Sequence, residues 1–330
     1  MPDTERNRRR LIRFIAQEVR NELKKSSGKA IPHFDKGSIA LILKEAQRRA
    51  GRRGKLSLRL RELGGLVRIA GDLAAEESAD LTGPEHVTRA RMIAKPLEQQ
   101  VADRYLDRQA EYAMLVNSGN RVGRVNGLAV LGADSGLSDY SGVVLPVEAM
   151  VTPAQGMSGK VIATGGLSDL ANESVINISA VVKKLTGKDI KDFDLHVQFP
   201  GTHNVDGDSA SITMATAIIS AFEGVPIEQN LAMTGSLSVR GEILPVGGVT
   251  AKIEAAAKSG IETVVIPRAN MQDVLMDEKW EKQVEVLPVD SLDEVLQHAL
   301  VGAEEKVSLV ERLAKVIDTI SKGTDTQPSA

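Results

Sequence analysis

Asp206-Gly207-Asp208-Ser209-Ala210-Ser211 runs straight into Ile212-Thr213-Met214-Ala215, so a serine stands where an almost wholly apolar helix begins. A helix apolar on every side is expected to be buried, with its N-terminus opening into a site. Free backbone N–H groups and the helix dipole favour developing negative charge at such an end. Downstream, Gly247-Gly248 leads a second helix that carries Lys252. A serine and a lysine brought together can attack an amide without histidine, provided the amine is available as a base.

That proviso is demanding. A free lysine titrates at about 10.4, whereas a base working near neutral pH is best placed at roughly 7–8. Lowering it by roughly 3 units costs about 4 kcal/mol of charged-state stability. Desolvation is the available source, and Ala251, Ile253, Ala255 and Ala256 supply suitably apolar neighbours. Spacing alone does not settle the matter. A lysine in an alanine-rich helix is commonly a surface residue, and a serine near a helix start is commonly a cap.

The flanking pattern is mixed α and β. From about residue 117, short runs at 124–131, 143–152, 160–164, 194–199, 233–243, 263–266 and 284–289 read as strands. Helices are expected between them at 168–185, 208–222, 249–259 and 291–300. The first 115 residues read as helical instead. Leu11, Ile12, Ile15, Val19 and Leu23 recur at helical spacing, and Asp35 is placed to cap a helix through Ile39, Ile42 and Leu43 to Gly51. A third helix is expected from Ser57, and Thr82-Gly83-Pro84-Glu85 reads as a capping box. The helix that follows must bend or restart at Pro96. The expected class is therefore α+β: helices over 1–115, an α/β domain over 116–303, and a C-terminal helix with a polar tail over 304–330.

The ordered motifs resemble the proteolytic domain of Lon proteases, most closely the archaeal B-type branch. Gly207-Asp208-Ser209-Ala210 matches the family's serine segment, and Met233-Thr234-Gly235 matches the strand after it. Gly241-Glu242-Ile243-Leu244-Pro245-Val246-Gly247-Gly248-Val249-Thr250-Ala251-Lys252 matches the segment that ends in the lysine. The run from Gly260 to Pro267 looks like the strand that follows. The resemblance implies that Ser209 is the nucleophile and Lys252 its general base, with Thr234 hydrogen-bonding the amine. Asp206 and Asp208 match acidic positions of the B-type branch, where the A-type usually has proline before the serine. They either position Lys252 or narrow the site, and Asp208 also reads as a simple helix cap.

Upstream, the helical region resembles the small α-subdomain of an AAA+ ATPase. Within Ser57-Leu58-Arg59-Leu60-Arg61, the resemblance implies a nucleotide-sensing arginine, Arg59 first and Arg61 second; a solvated arginine on an amphipathic helix fits either one equally. No Gly-x-x-x-x-Gly-Lys-Ser/Thr occurs, so ATP and Mg are expected only in a longer parent carrying the large nucleotide-binding subdomain, and peptide cleavage itself calls for no cofactor. The family further implies unfolded polypeptide substrates, a homohexameric ring, and a cytoplasmic location, with the parent attached to the membrane through the missing subdomain. Two other readings stand beside this one: a non-proteolytic Lon-like module for assembly or nucleic-acid interaction, and a naturally ATP-independent Lon-like protease.

Composition narrows the chemistry. The chain has 330 residues, net charge −3, 42% hydrophobic residues and only 3% aromatics. Residues 1–68 carry 19 Lys and Arg against 7 Asp and Glu, so the basic charge is concentrated at one end. That end could meet nucleic acid, nucleotide phosphate or an acidic neighbour, or be a pair of solvated helices. Few aromatics argue against base stacking. The absence of cysteine excludes disulfides, thiolate catalysis and Cys-based metal sites, and the five histidines show no metal spacing. His196 and His203 are poor partners for Ser209, because Gly-Asp-Ser-Ala-Ser lacks the second glycine of a nucleophile elbow. No run approaches the 18 or so apolar residues of a membrane span.

Overall fold

The computed structural model describes residues 1–25, 31–95, 97–111, 115–131, 141–154, 159–164, 178, 181–182, 192–200 and 208–302. These form two compact units, one built from residues 1–101 with 272–276, the other from 102–131, 141–271 and 277 onward. The α+β class expected from the sequence is present. The expected C-terminal helix and tail, and most of the helix expected over 168–185, lie outside the described residues. No helix among the described residues is long and apolar enough to cross a membrane.

The first unit packs α1 (Glu5–Lys25), α2 (Lys36–Arg48), α3 (Leu60–Glu76) and α4 (Pro84–Ile93) around aliphatic stripes. Ile15, Ile42, Leu66, Val67, Ala70, Val87 and Ala90 make one buried cluster, and Leu11, Ala46, Leu56 and Leu63 another. Each large aliphatic side chain so buried contributes roughly 1.5–3 kcal/mol. Between the helices, β1 (His33–Phe34) and β2 (Leu81–Thr82) pair in parallel. Asp35 caps α2 as expected: its carboxylate accepts the Ser38 N–H at 2.7 Å, and that bond holds its carboxyl below the usual carboxylate range.

Three local expectations are corrected. α3 begins at Leu60 rather than Ser57, because its N-cap Arg59 stands at φ −79°, ψ +69°, outside the helical range. The box before α4 is closed by His86, not by Thr82 and Glu85. Gly83 is the N-cap and donates its N–H to His86 Nδ1 at 2.9 Å, while the Thr82 hydroxyl donates to Pro32 O. Nδ1 is thereby an acceptor, so the Nε2 proton points to Glu77 Oε2, 3.0 Å away. Third, 233–243 is not one strand. It holds the end of β9 (Leu231–Met233), a break at Thr234-Gly235, and a hairpin of β10 (Ser236–Leu237) and β11 (Ile243–Leu244) that turns through Gly241 at φ +91°. The positive φ at Gly241 is a turn conformation that a continuous strand excludes. The helical run does break around Pro96, with α4 ending at Ile93 and α5 (Leu97–Glu111) beginning anew.

Among the described residues, the second unit pairs β3 (Asn120–Arg121) with β8 (Ile227–Glu228) and is organised on a seven-stranded mixed sheet. In spatial order it runs β13 (Glu285–Val289), β12 (Thr263–Pro267), β9, β4 (Arg124–Leu131), β5 (Ser141–Pro153), β7 (Phe193–Gln198) and β6 (Val161–Thr164). β13, β12, β9 and β4 are parallel, and β5 reverses direction between β4 and β7. Helix α6 (Ser211–Glu223) and helix α7 (Val249–Lys258) cover opposite faces. Gly127, paired with Leu145, faces Thr213 of α6, whereas Gly142, paired with Val130, faces Ala251 of α7. Residues 127 and 130 differ by an odd count, so they point to opposite sides of the pleat. Val125, Val143, Leu145 and Val147 join Ile212, Met214 and Ala215 in the core on the α6 side.

Candidate active site

The two helices converge at the C-terminal end of β9, where the chain leaves the sheet. A 3-10 turn, Asp208–Ala210, precedes α6 and leaves Ser209 half-buried at its mouth. Nearly all of α6 is buried, so its N-terminus can open only at this end. Asp206 lies outside the described residues. Asp208 opens the 3-10 turn, and its side chain is not among those described.

Hydrogen bonds fasten the turn to the strand exit. The Gly235 N–H donates to Ser209 O at 3.0 Å, and the Ile212 N–H returns to Gly235 O at 3.3 Å. Ser211 Oγ donates to Gly235 O at 3.4 Å and accepts the Leu237 N–H at 2.8 Å. Gly235 is closely packed: a Cβ there would lie 3.0 Å from Ile212 Cδ1 and 3.1 Å from Ile243 Cγ2, so those side chains would have to give a little.

From the other face, α7 delivers Lys252. Gly248 at φ +68° starts this helix without a side-chain cap, and the Lys252 N–H closes its first turn on Gly248 O at 3.1 Å. Lys252 is 1% exposed. Its Nζ donates to Thr234 Oγ1 at 2.9 Å, and the Thr234 hydroxyl donates to Ser209 O at 3.2 Å. The direction of this relay is fixed: with its proton given to Ser209 O, the threonine oxygen presents a lone pair to the amine. Thr234 is held in turn by its own N–H, which donates to Val265 O of β12 at 3.1 Å. Ser209, Thr234 and Lys252 are thus brought to one end of the sheet. The arrangement ties a serine at a helix start, by its carbonyl and through Thr234, to a desolvated amine, and a serine and an uncharged amine are the equipment for nucleophilic attack on a carbonyl.

Two supporting positions carry no motif of their own. A Cβ on Gly142 of β5 would fall 2.0 Å from Ala251 O and 2.9 Å from Lys252 N, so only glycine lets α7 settle on the sheet. Glycine inside a strand is the available sign of such a close approach. Asn270, buried just after β12, bonds the loop that leads into α7, and nothing in the sequence pattern singles it out. In the first unit, Arg59 is half-buried at the start of α3, with Nη1 buried and unpartnered among the described residues; Arg61 is exposed. His196 pairs within β7, against Met150 and Ile162, while His203 lies outside the described residues.

Comparison with known proteins places both halves of the chain in known families. A family model of the Lon protease (S16) C-terminal proteolytic domain matches residues 97–302, and one of the archaeal LonB AAA+ ATPase LID domain matches residues 33–92. Proteins named archaeal Lon protease from Archaeoglobus fulgidus and Thermoplasma acidophilum are 53% and 52% identical, each over 96% of this chain and over 49% and 48% of their own length. One from Methanothermobacter thermautotrophicus is 49% identical over 97% of this chain and 48% of its own. The chain spans about half the length of the curated relatives it matches.

Proposed function

The chain belongs to the Lon protease family, and from that premise we propose that it is a serine endopeptidase in which Ser209 is the nucleophile and Lys252 the general base. The observation that carries this reading is the buried relay Lys252–Thr234–Ser209, in which a single threonine hydroxyl orients the amine and grips the serine's own carbonyl. Burial favours the uncharged amine that a base requires.

Ser209 Oγ attacks the peptide carbonyl carbon as its proton passes to Lys252 Nζ. The tetrahedral oxyanion is stabilised by backbone N–H groups at the start of the Asp208–Ala210 turn. The new ammonium protonates the leaving amine, the C–N bond breaks, and an acyl ester remains on Ser209. Water then gives a proton to Lys252 and attacks the ester; the proton returns to Ser209 Oγ as the acid leaves. Asp206 and Asp208 position the amine or narrow the entrance. In the longer protein, Arg59 senses nucleotide phosphate with Arg61 as the second candidate, and the buried unpartnered nitrogen of Arg59 supports that order. There, ATP-driven motion feeds unfolded polypeptides into a homohexameric ring in the cytoplasm, attached to the membrane by the large nucleotide-binding subdomain.

The test is cleavage of unfolded casein and a fluorogenic peptide by the chain and by Ser209→Ala and Lys252→Ala, with and without ATP. Activity lost in both variants and indifferent to ATP is expected. Activity that persists in Ser209→Ala would sink the mechanism. Intact casein together with steeply salt-dependent DNA binding would favour the non-proteolytic module.

A further inference from the structure

Lys252 reaches Thr234 from a helix whose entry is intrinsically loose. Pro245 contributes no N–H, Gly247 and Gly248 are adjacent, and α7 has no side-chain cap. Two consecutive glycines lose more backbone freedom on ordering than any other pair, so something must hold the loop in place. Asn270 is the group that does so. Its Oδ1 accepts the Val246 N–H at 2.8 Å, and its Nδ2 donates to Val246 O at 3.0 Å. The side-chain amide thus satisfies both backbone groups of one residue, as a neighbouring strand would. Asn270 is 2% exposed, in the 3-10 turn Arg268–Asp273 that follows β12.

β12 also fixes the other partner. Val265 of that strand receives the Thr234 N–H at 3.1 Å. One rigid strand and its exit therefore locate both ends of the Lys252–Thr234 contact: Thr234 through Val265 O, and Lys252 through Asn270, Val246 and the Gly248–Lys252 helical bond. We propose that Asn270 is a positioning residue for catalysis, clasping Val246 so that α7 presents the Lys252 amine to Thr234. The inference rests on the Ser-Lys reading above.

The loss expected from Asn270→Ala is in turnover rather than in binding, because the clasp lies behind the reacting groups. A displacement near 1 Å lowers kcat by about a hundredfold, with KM for a short peptide unchanged. Asn270→Asp keeps the acceptor for the Val246 N–H but sets a carboxylate against Val246 O, and the same kcat loss is expected. Gly247→Ala on the Asn270→Ala background stiffens the loop without restoring a hydrogen bond. A Cβ at Gly247 meets nothing within 4 Å and its φ is not left-handed, so partial recovery of kcat is expected. Leu195→Ala, a core change in β7 four strands away from β12, serves as the control for destabilisation alone, with normal kcat below its melting temperature. Hydrogen exchange supplies a readout independent of turnover: in Asn270→Ala the Lys252 amide loses protection while the Thr234 amide keeps it. Wild-type kcat in folded Asn270→Ala, or unchanged protection at Lys252, overturns the proposal while leaving the dyad intact. Cleavage that survives Lys252→Ala overturns both.

Discussion

Lys252 Nζ and Thr234 Oγ1 lie 2.9 Å apart, the lysine on a helix that covers one face of the sheet and the threonine where β9 leaves it. Thr234→Val keeps the shape of the side chain but removes both the acceptor for the amine and the donor to Ser209 O. A fall in kcat of about 10²–10⁴-fold is expected, the range that a general base contributes. Thr234→Ser, which keeps the hydroxyl, should retain most activity. Steady-state peptide cleavage by the two variants checks this; equal loss in both would mean that the hydroxyl alone does not account for the role of Thr234.

Gly142 is the point on β5 where α7 comes closest. Gly142→Ala would place a carbon 2.0 Å from a backbone oxygen of the lysine helix, and backbone cannot step aside as a flexible side-chain end can. Overpacking of this kind costs about 1–3 kcal/mol. The helix must lift, so the expected outcome is a lower melting temperature and a loss of peptidase activity at temperatures where the variant is folded. Full activity in a folded Gly142→Ala chain would show that Lys252 tolerates the shift.

Much of this was readable beforehand, for definite reasons. Strands β4, β5, β7, β12 and β13 were legible because short runs rich in Val and other aliphatic residues end at turn residues. Asp35 was legible because an N-cap bonds within three residues of itself. Ser209, Thr234 and Lys252 were legible as a set through ordered motifs, not through the properties of any one of them. What escaped depends on partners distant in sequence. The 233–243 stretch looks continuous because Thr234 and the residues around it suit a strand. It breaks there because Gly235 turns to bond Ser209 O and Ile212 N–H. His86 closes the α4 cap where Glu85 has the commoner residue type, and only its place between Gly83 and Glu77 reveals that. Gly142 and Asn270 act on a helix over a hundred residues later and a loop before it in sequence, respectively, so neither has a local signature.

Glu45 offers a test in the helical unit that is independent of catalysis. Its carboxylate is buried and bonds Arg48 at 2.9 Å and Arg49 at 2.7 Å, with Arg91 Nε at 3.3 Å. Burial alone would raise its pKa; the bond from Arg48 and the charges of Arg48, Arg91 and Arg49 outweigh it and lower it from 4.5 to about 2. A carboxylate depressed in the folded state stabilises above its unfolded pKa and loses that contribution as pH falls through the folded value. The contribution is therefore whole above pH 4.5 and lost on descent toward about 2. A shift of that size corresponds to about 3 kcal/mol. Glu45→Gln should accordingly melt well below wild type at pH 7, because three arginines are left around a neutral amide. The gap should narrow steadily as the pH is lowered below 4.5. Melting curves of both chains between pH 7 and pH 3 measure it, and a gap independent of pH would mean that the loss comes from packing rather than from the charge of Glu45.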